Sequence, residues 1–200
     1  GAHTDSPNLR LKPNPIYNKN GYSQIGVEPY GGILLASWLN RDLYVAGRVI
    51  VRTKSGEIEQ KLINMRDIIV SIPQLAIHLD RDVNEKGLVV NKQNHLPPLL
   101  GLGTARDTDT FWNKVAGAAG TSRKNIAGLD LMLCDSQPSR LGGINGEFIH
   151  APRLDNLASC HAGTIALGNT DNPEQTCILV CYDHEEVGSQ SSQGAQSSFL

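Results

Sequence analysis

The sequence predicts an α/β fold that is interrupted by a β-rich segment. Residues 176–182 form a continuous apolar run, which is typical of a strand buried on both faces of a parallel sheet. An apolar strand pattern at 126–134 and helical spacing at 157–166 precede it, and this order predicts a βαβ unit. Before residue 80, short apolar runs separated by turn residues indicate a β-rich unit, either a sheet or a barrel with hairpins.

The elements of the β-rich segment follow from turn signals and alternation. We predict a strand at 9–13 that ends at a proline, because proline cannot donate to a strand ladder. The Asn-, Gly- and Pro-rich stretch at 14–32 predicts a loop. The remaining predictions are strands at 43–52, 57–63 and 68–72, a polar loop at 80–103 and a helix at 108–120.

Composition limits the classes of protein and of partner. Two hundred residues with 40% hydrophobic content can bury a core of one or two domains. Eighteen Lys and Arg against twenty Asp and Glu give a net charge of -2, which argues against a nucleic-acid partner. No apolar run approaches the roughly 18 residues of a membrane span, and no basic and apolar leader is visible. We therefore predict neither a nucleic-acid nor a membrane partner.

The four cysteines indicate the compartment. Their spacing fits no zinc ribbon, and Cys177 and Cys181 lie in the apolar run. Buried free thiols in a reducing compartment are favoured over a disulfide framework. We therefore predict a cytoplasmic protein, with the vacuole as the alternative. Because the sequence starts and stops abruptly, we also expect it to be a piece of a longer protein.

The pair Glu185 and Glu186 is the strongest chemical signal. Two carboxylates within a few Å of each other raise the pKa of one of them. A bound cation would relieve that repulsion and leave the second carboxylate free as a base. Paired glutamates usually form a solvated face, but a position just past a predicted buried strand favours metal-assisted hydrolysis.

Two further signals complete a candidate metal centre. In His3-Thr4-Asp5, the imidazole can bind a metal while the aspartate holds its other ring nitrogen, although a histidine near a terminus can also be plain surface. Asp155, before the predicted helix, can supply a carboxylate or serve as a helix N-cap. One histidine and several carboxylates suit a divalent ion such as zinc or manganese.

Taken together, these motifs resemble the M18 family of metallo-aminopeptidases, the aspartyl aminopeptidases. The matching segments occur in the family's order at residues 3–7, 42–49, 75–79, 152–156 and 183–189. The resemblance implies a zinc-peptidase-type catalytic sheet, incomplete here, formed by residues 1–12 and 130–200. It also implies a β-rich, barrel-like dimerisation insertion at residues 13–129.

The resemblance implies a role for each candidate residue. His3 matches the ligand of one zinc, and Asp5 matches the catalytic residue that orients it. Asp155 matches the carboxylate that bridges two divalent metal ions. We predict that both ions are zinc. Glu185 matches the general base that takes a proton from the attacking water. Glu186 matches a ligand of the metal that His3 does not hold.

The family's insertion also implies assembly. It builds dimers that associate into a tetrahedral dodecamer, and one of its histidines reaches a neighbouring subunit's active site. His78 matches that substrate-binding histidine best and His95 less well, while an ordinary strand or loop histidine is the alternative for both. His150, His161 and His184 are predicted to be structural.

The sequence departs from the family after its Glu-Glu motif. The family needs a further Asp and His there, and a basic residue that contacts an acidic substrate side chain. No Asp, Glu, His, Lys or Arg follows Glu186. We therefore predict that the chain alone binds metal weakly and has little peptidase activity.

The leading functional hypothesis is an aminopeptidase that removes N-terminal Asp or Glu from peptides with water activated by two zinc ions. The acidic preference comes from the resemblance alone. One alternative is a catalytically inert fragment that acts as an oligomerisation module. Another is a related two-zinc hydrolase, either a broad-specificity aminopeptidase or a carboxypeptidase.

Overall fold

The computed structural model describes residues 1–198 and divides into two compact units. The terminal unit comprises Gly1–Pro7, Tyr30–Gly32 and the chain from Pro138 onwards; the central unit comprises Asn8–Pro29 and Ile33–Gln137. The strands are β1 (Ala2–His3), β2 (Asn8–Lys19), β3 (Tyr22–Tyr30), β4 (Leu43–Arg52), β5 (Ile58–Val70), β6 (Leu99–Gly101), β7 (Ile126–Asp135), β8 (Arg140–Gly142), β9 (Phe148–His150) and β10 (Cys181–Tyr182). The helices are α1 (Val83–Lys86), α2 (Asp107–Ala118) and α3 (Leu154–Gly168), with 3-10 turns at Leu35–Trp38, Arg123–Asn125 and Glu185–Val187.

The central unit is built on a six-stranded sheet in the order β5-β4-β7-β2-β3-β6. Strand β4 pairs antiparallel with β5 on one side and with β7 on the other along nearly its whole length. Val45 and Val49 of β4 and Leu133 of β7 are almost completely buried. Burial of each such side chain contributes about 1.5–3 kcal/mol. This sheet therefore carries the apolar core.

Helix α2 confirms the helix predicted near residues 108–120. Its buried residues include Phe111 and Val115, which are one turn apart and join the apolar core. Asp107 and Asp109 lie in its first turn, where negative charge interacts favourably with the helix dipole.

The mixed α/β class is confirmed, whereas a barrel-like closure is not. The two edge strands of the central sheet, β5 and β6, approach each other through one isolated bridge between Ser71 and Leu99. One bridge is not a strand ladder, so the sheet is open within residues 1–198.

The loop predicted at residues 14–32 is wrong. Strand β2 continues through Pro13, and β3 follows after a turn at Asn20 and Gly21. Both turn residues have positive φ, 51° and 82°, as a two-residue Asn-Gly hairpin requires. The proline does not end β2, because the paired residues of β2 and β7 are Leu9 and Arg10, which precede it.

The terminal unit contains the parallel pairing that the sequence predicts, with a different first strand. Strands β1 and β10 run parallel, with His3 opposite Tyr182, and α3 packs against β1. The predicted helix is confirmed in α3. The expected first strand, β7, belongs instead to the antiparallel sheet of the central unit, so the predicted βαβ unit is wrong in that strand.

The buried strand predicted at residues 176–182 is also wrong. Only Cys181–Tyr182 is strand, and Ile178 is 67% exposed. Among the described residues β10 has a single strand neighbour, β1, so no second strand covers its other side. Cys177 and Cys181 are accordingly exposed rather than buried, and all four cysteines are free, as expected.

The limits of the two units differ from the predicted domain limits. Residues 12 and 13 lie inside β2, and residues 129 and 130 lie inside β7. The observed limits, after Pro7 and after Gln137, fall outside both of these strands. The catalytic and dimerising roles assigned to the two predicted domains stay predictions.

The terminal unit leaves much apolar surface uncovered. Helix α3 has no buried residue, and Leu157, Ile165 and Leu167 are 40–51% exposed. In the β8–β9 hairpin, Leu141 and Ile149 are 70% and 65% exposed. Extensive exposed apolar surface marks a contact surface for other protein.

None of the helices within residues 1–198 is long and apolar enough to cross a membrane.

Gly47 of β4 generates a stability prediction. Its φ is +147°, and a Cβ atom there would lie 2.2 Å from the carbonyl oxygen of Asp130 on β7. We expect Gly47→Ala to destabilise the chain by about 1–3 kcal/mol or more, because the two strands must move apart. A matched control is Gly128→Ala on β7, where the nearest atom would be 3.7 Å away. Urea unfolding measures both, and equal midpoints would contradict the prediction.

Candidate metal centre

His3 is fixed in place by its backbone. It is 9% exposed, and its N–H donates to Asn156 Oδ1 at 3.2 Å. Its carbonyl oxygen accepts a hydrogen bond from the Cys160 thiol at 3.1 Å. Both partners lie on α3, so the helix holds the strand residue whose ring faces the site. A surface histidine, the alternative considered above, would not be buried in this way.

Asp5 sets the orientation of the His3 ring. The ring Nδ1 lies 3.2 Å from Asp5 Oδ1 and 3.1 Å from the Asp5 carbonyl oxygen. With the proton on Nδ1, the lone pair of Nε2 is left for a ligand. Nε2 lies 3.4 Å from Asp155 Oδ1 and 3.8 Å from Glu185 Oε2, so it points at carboxylates.

The Asp5 carboxylate also holds the Glu185–Val187 turn. Its Oδ1 accepts the N–H of Glu185 at 3.2 Å, and its Oδ2 accepts the N–H of Glu186 at 3.1 Å. Oδ2 further accepts the Tyr30 hydroxyl at 2.8 Å. Burial alone would raise the pKa of Asp5, but these hydrogen bonds outweigh it and hold the pKa below its usual value.

The backbone around the turn directs the two glutamates. His184 before it and Gly188 after it both have positive φ, 58° and 97°, so the chain reverses sharply at each end. Glu185 is exposed, whereas Glu186 is partly buried. Burial raises the pKa of Glu186, and the negative charges of Glu185 and Asp5 raise it further. The sequence predicts this direction for neighbouring carboxylates.

The donor set fits a divalent metal ion. Ligand atoms of His3, Glu185 and Glu186 all lie within 4.8 Å of one another. One imidazole and two carboxylates are ligands that zinc takes in catalytic sites. The pKa of Glu186 is raised by burial first and by the nearby negative charges second, and a cation would counteract both effects.

Asp155 lies beside this trio rather than within it. Its side chain is 85% exposed, and its Oδ1 accepts a hydrogen bond from Asn156 Nδ2 at 3.2 Å. The peptide bond between these two residues is cis. The cap position of α3 is Arg153, and that helix has no side-chain cap bond. The backbone is not helical at Asp155 and Asn156, so the N-cap alternative for Asp155 stays a prediction.

The structure brings His3, Asp5, Asp155, Glu185 and Glu186 together. Within residues 1–198, no other histidine belongs to the trio of candidate ligands. His78 is an exposed turn residue of the central unit, so its proposed reach to another subunit stays a prediction. His95 Nδ1 accepts the N–H of Asn91 at 3.0 Å. His150 and His161 are exposed, and His184 Nδ1 hydrogen-bonds Ser191 Oγ at 2.6 Å.

Sequence reasoning missed Tyr30 and Gly31. Tyr30 is 6% exposed and hydrogen-bonds Asp5, and Gly31 backs onto Glu186. The only available signal was the Gly31-Gly32 pair, which predicts a turn with positive φ. Nothing in the sequence relates that turn to residues more than 150 positions away.

Comparison with known proteins identifies relatives along the whole chain. The family model described as aminopeptidase I zinc metalloprotease (M18) matches residues 1–200. A probable M18 family aminopeptidase 2 of Stutzerimonas stutzeri is 48% identical over 204 residues, which cover 100% of this chain and 47% of the relative. The chain thus spans about half the length of the curated relatives it matches.

Solved structures give the same result. The chain is similar to Ape4 in the cryo-EM structure of the Ape4 and Nbr1 complex, with a TM-score of 0.91 and 35% identity over 100% of this chain and 42% of that one. It is also similar to mApe1 from Chaetomium thermophilum, with a TM-score of 0.86 and 30% identity over 100% of this chain and 48% of that one.

The surroundings of His3 generate a pH prediction. Burial lowers the pKa of His3, but the Asp5 carbonyl and the charges of Glu185 and Asp5 outweigh it and raise the pKa above 6.5. A raised folded-state pKa stabilises the chain fully below pH 6.5, and this stabilisation is lost as the pH rises through the folded-state value. NMR titration of the metal-free chain should give a His3 midpoint above 6.5 that Asp5→Asn lowers. A midpoint at or below 6.5 would contradict the prediction that the Asp5 carbonyl and the two carboxylate charges outweigh burial.

Proposed function

The chain belongs to the M18 family of zinc metalloproteases, and on that premise we propose that it forms part of the active site of an aminopeptidase. The observation that carries the proposal is the trio of His3, Glu185 and Glu186, with ligand atoms within 4.8 Å of one another. The proposed substrates are peptides with N-terminal Asp or Glu. Because the chain spans about half of its relatives, this activity is proposed for the whole protein.

The proposed ligands are His3, Glu186 and Asp155, which would hold two zinc ions. His3 offers Nε2 because Asp5 occupies Nδ1. Asp155 is proposed as the bridging carboxylate, and its exposure together with its 3.4 Å distance from His3 Nε2 supports this. When bound, the ions would polarise the attacking water and the scissile carbonyl group.

Glu185 is the proposed general base. Its side chain is 53% exposed, so water and substrate can reach it. Its N–H is held by Asp5, which fixes the backbone from which the carboxylate projects. Glu185 must stay outside the metal's ligands in order to accept a proton. Glu186 is less exposed and has the raised pKa, so it gains more from a neighbouring cation.

We propose that part of this active site lies in the length of the relatives that this chain does not span. No Asp, Glu or His follows Glu186 in the sequence, so no further ligand from that side is available. The exposed apolar faces of α3 and the β8–β9 hairpin have the character of a surface that other protein covers. We infer that the remaining length of the protein supplies both the missing ligands and this cover.

A second candidate function is an inert oligomerisation module. Three leucines of the central unit, Leu62, Leu75 and Leu79, are 62–79% exposed. Extensive exposed apolar surface is typical of an association surface. We propose that the central unit forms dimers and that these assemble into dodecamers.

The cytoplasm is the proposed compartment and the vacuole the alternative, on the basis of the free cysteines.

Substitutions of the two glutamates should separate the base from the ligand. Glu186→Gln should weaken zinc binding by about 10-fold or more, because a charged ligand is lost. Glu185→Gln should leave zinc binding within a few-fold. In the full-length protein it should slow peptide hydrolysis by about 10²–10⁴-fold. Calorimetry measures zinc binding, and turnover assays measure hydrolysis. If Glu185→Gln weakens zinc binding more than Glu186→Gln does, Glu185 is the ligand and Glu186 the base.

The isolated chain and the full-length protein should behave differently. We expect weak zinc binding and little hydrolysis from the 200-residue chain, because its set of ligands is incomplete. Zinc titration by calorimetry, light scattering for size and hydrolysis of aspartyl, glutamyl and leucyl chromogenic amides should be run on both samples. Two tight sites in the isolated chain would refute the incomplete site. Equal or faster turnover of leucyl substrates by the full-length protein would refute the acidic preference.

A further inference from the structure

The segment Tyr30–Gly32 belongs to the terminal unit, although the chain on both sides of it belongs to the central unit. We propose that Tyr30 and Gly31 are positioning residues of the metal centre, which hold Asp5 and Glu186 in the geometry that binds the ion. The proposal rests on the proposed function and adds to it two residues that were assigned no role.

Tyr30 acts on Asp5 through one hydrogen bond. Its hydroxyl donates to Asp5 Oδ2 at 2.8 Å, and the tyrosine is 6% exposed, so water does not readily replace this donor. The same oxygen accepts the N–H of Glu186 at 3.1 Å. Without the hydroxyl, a buried carboxylate loses one of its donors and is free to turn about its side-chain bonds.

A rotation of the Asp5 carboxylate would disturb the metal site in two ways. Asp5 Oδ1 orients the His3 ring at 3.2 Å and accepts the N–H of Glu185 at the same distance. The Tyr30 ring also lies edge-on to His184, with ring centroids 6.5 Å apart. Tyr30 therefore supports, through Asp5, the orientation of the His3 ring and the backbone of both glutamates.

Gly31 acts on Glu186 by close approach. Its φ is +75°, and a Cβ atom there would lie 2.9 Å from Glu186 Cβ and 3.1 Å from Glu186 Oε2. A side chain at this position would push the Glu186 carboxylate away and strain the backbone. At Gly32 no atom lies within 4 Å of an added Cβ, and the backbone there is not left-handed.

These contacts supply two matched pairs of variants. Tyr30→Phe removes only the hydroxyl, and its control is Tyr44→Phe, a buried tyrosine of the central unit. Gly31→Ala adds the obstructing methyl group, and its control is the adjacent Gly32→Ala. Because phenylalanine keeps the ring, the first pair separates positioning through the hydroxyl from simple packing.

Zinc titration of the full-length protein by calorimetry is the first measurement. We expect Tyr30→Phe and Gly31→Ala to weaken zinc binding about 10-fold, at the low end of the effect of groups that support metal ligands. Both controls should stay within about twofold. Circular dichroism establishes that every variant is folded.

Amide hydrogen exchange of the metal-free chain is the second measurement. In Tyr30→Phe, the Glu185 and Glu186 amides should exchange about 10-fold faster, since both depend on the Asp5 carboxylate. Tyr44→Phe should leave them unchanged. If the unmodified full-length protein binds no zinc, the proposed metal centre fails, and the exchange rates alone decide the role of Tyr30. If zinc binds and Tyr30→Phe and Gly31→Ala behave like their controls, the positioning role is overturned and the proposed function stands.

Discussion

The candidate site depends on the carboxylate of Asp5. Its two oxygens accept hydrogen bonds from the His3 ring, the Tyr30 hydroxyl and the backbone N–H groups of Glu185 and Glu186. Hydrogen bonds to a charged acceptor are stronger than neutral ones, and each contributes about 1.5–3 kcal/mol. Three separate stretches of chain therefore meet at one buried anion.

This arrangement explains how the site tolerates so much negative charge. Asp5 is satisfied by donors and stays ionised. Burial raises the pKa of Glu186, and the charges of Glu185 and Asp5 raise it further. In the absence of a cation the cluster is electrostatically unfavourable, and the surplus charge is what makes it a good host for one. A site of this kind is arranged for its ligand and not for the stability of the empty chain.

Local signals in the sequence predicted part of the local structure. The strands predicted at 57–63 and 68–72 are wrong as separate elements, because they form one continuous strand, β5. The alternation in β4 and the helical spacing in α2 and α3 identified those elements, because each pattern reflects the face that a residue buries. The residues of the candidate metal centre could be proposed from the sequence because His-x-Asp and Glu-Glu carry their chemistry within a few residues. The hairpin formed by β2 and β3 was missed because its composition is typical of loops, although Asn-Gly at residues 20 and 21 is a hairpin turn signal.

Non-local features could not be predicted from such patterns. Nothing in residues 176–182 indicates that a single strand would lie beside them, and an apolar run predicts burial only where other chain covers it. Tyr30 and Gly31 acquire their contacts through the tertiary fold, since Asp5 and Glu186 lie far from them in sequence. The pairing of β7 with the central sheet is likewise determined by the tertiary fold and not by a local pattern.

The pairing of β2 with β7 has a consequence for how the metal centre can form. Leu9 lies opposite Leu133, so the chain enters and leaves the central unit at neighbouring points. If the 130 or so intervening residues were unstructured, bringing β1 and α3 together would cost about 4 kcal/mol of loop-closure entropy. Once the central unit has folded, most of that entropy has already been lost in building its own core. The insertion thereby lets a histidine at residue 3 behave as a near neighbour of a helix that begins 150 residues later.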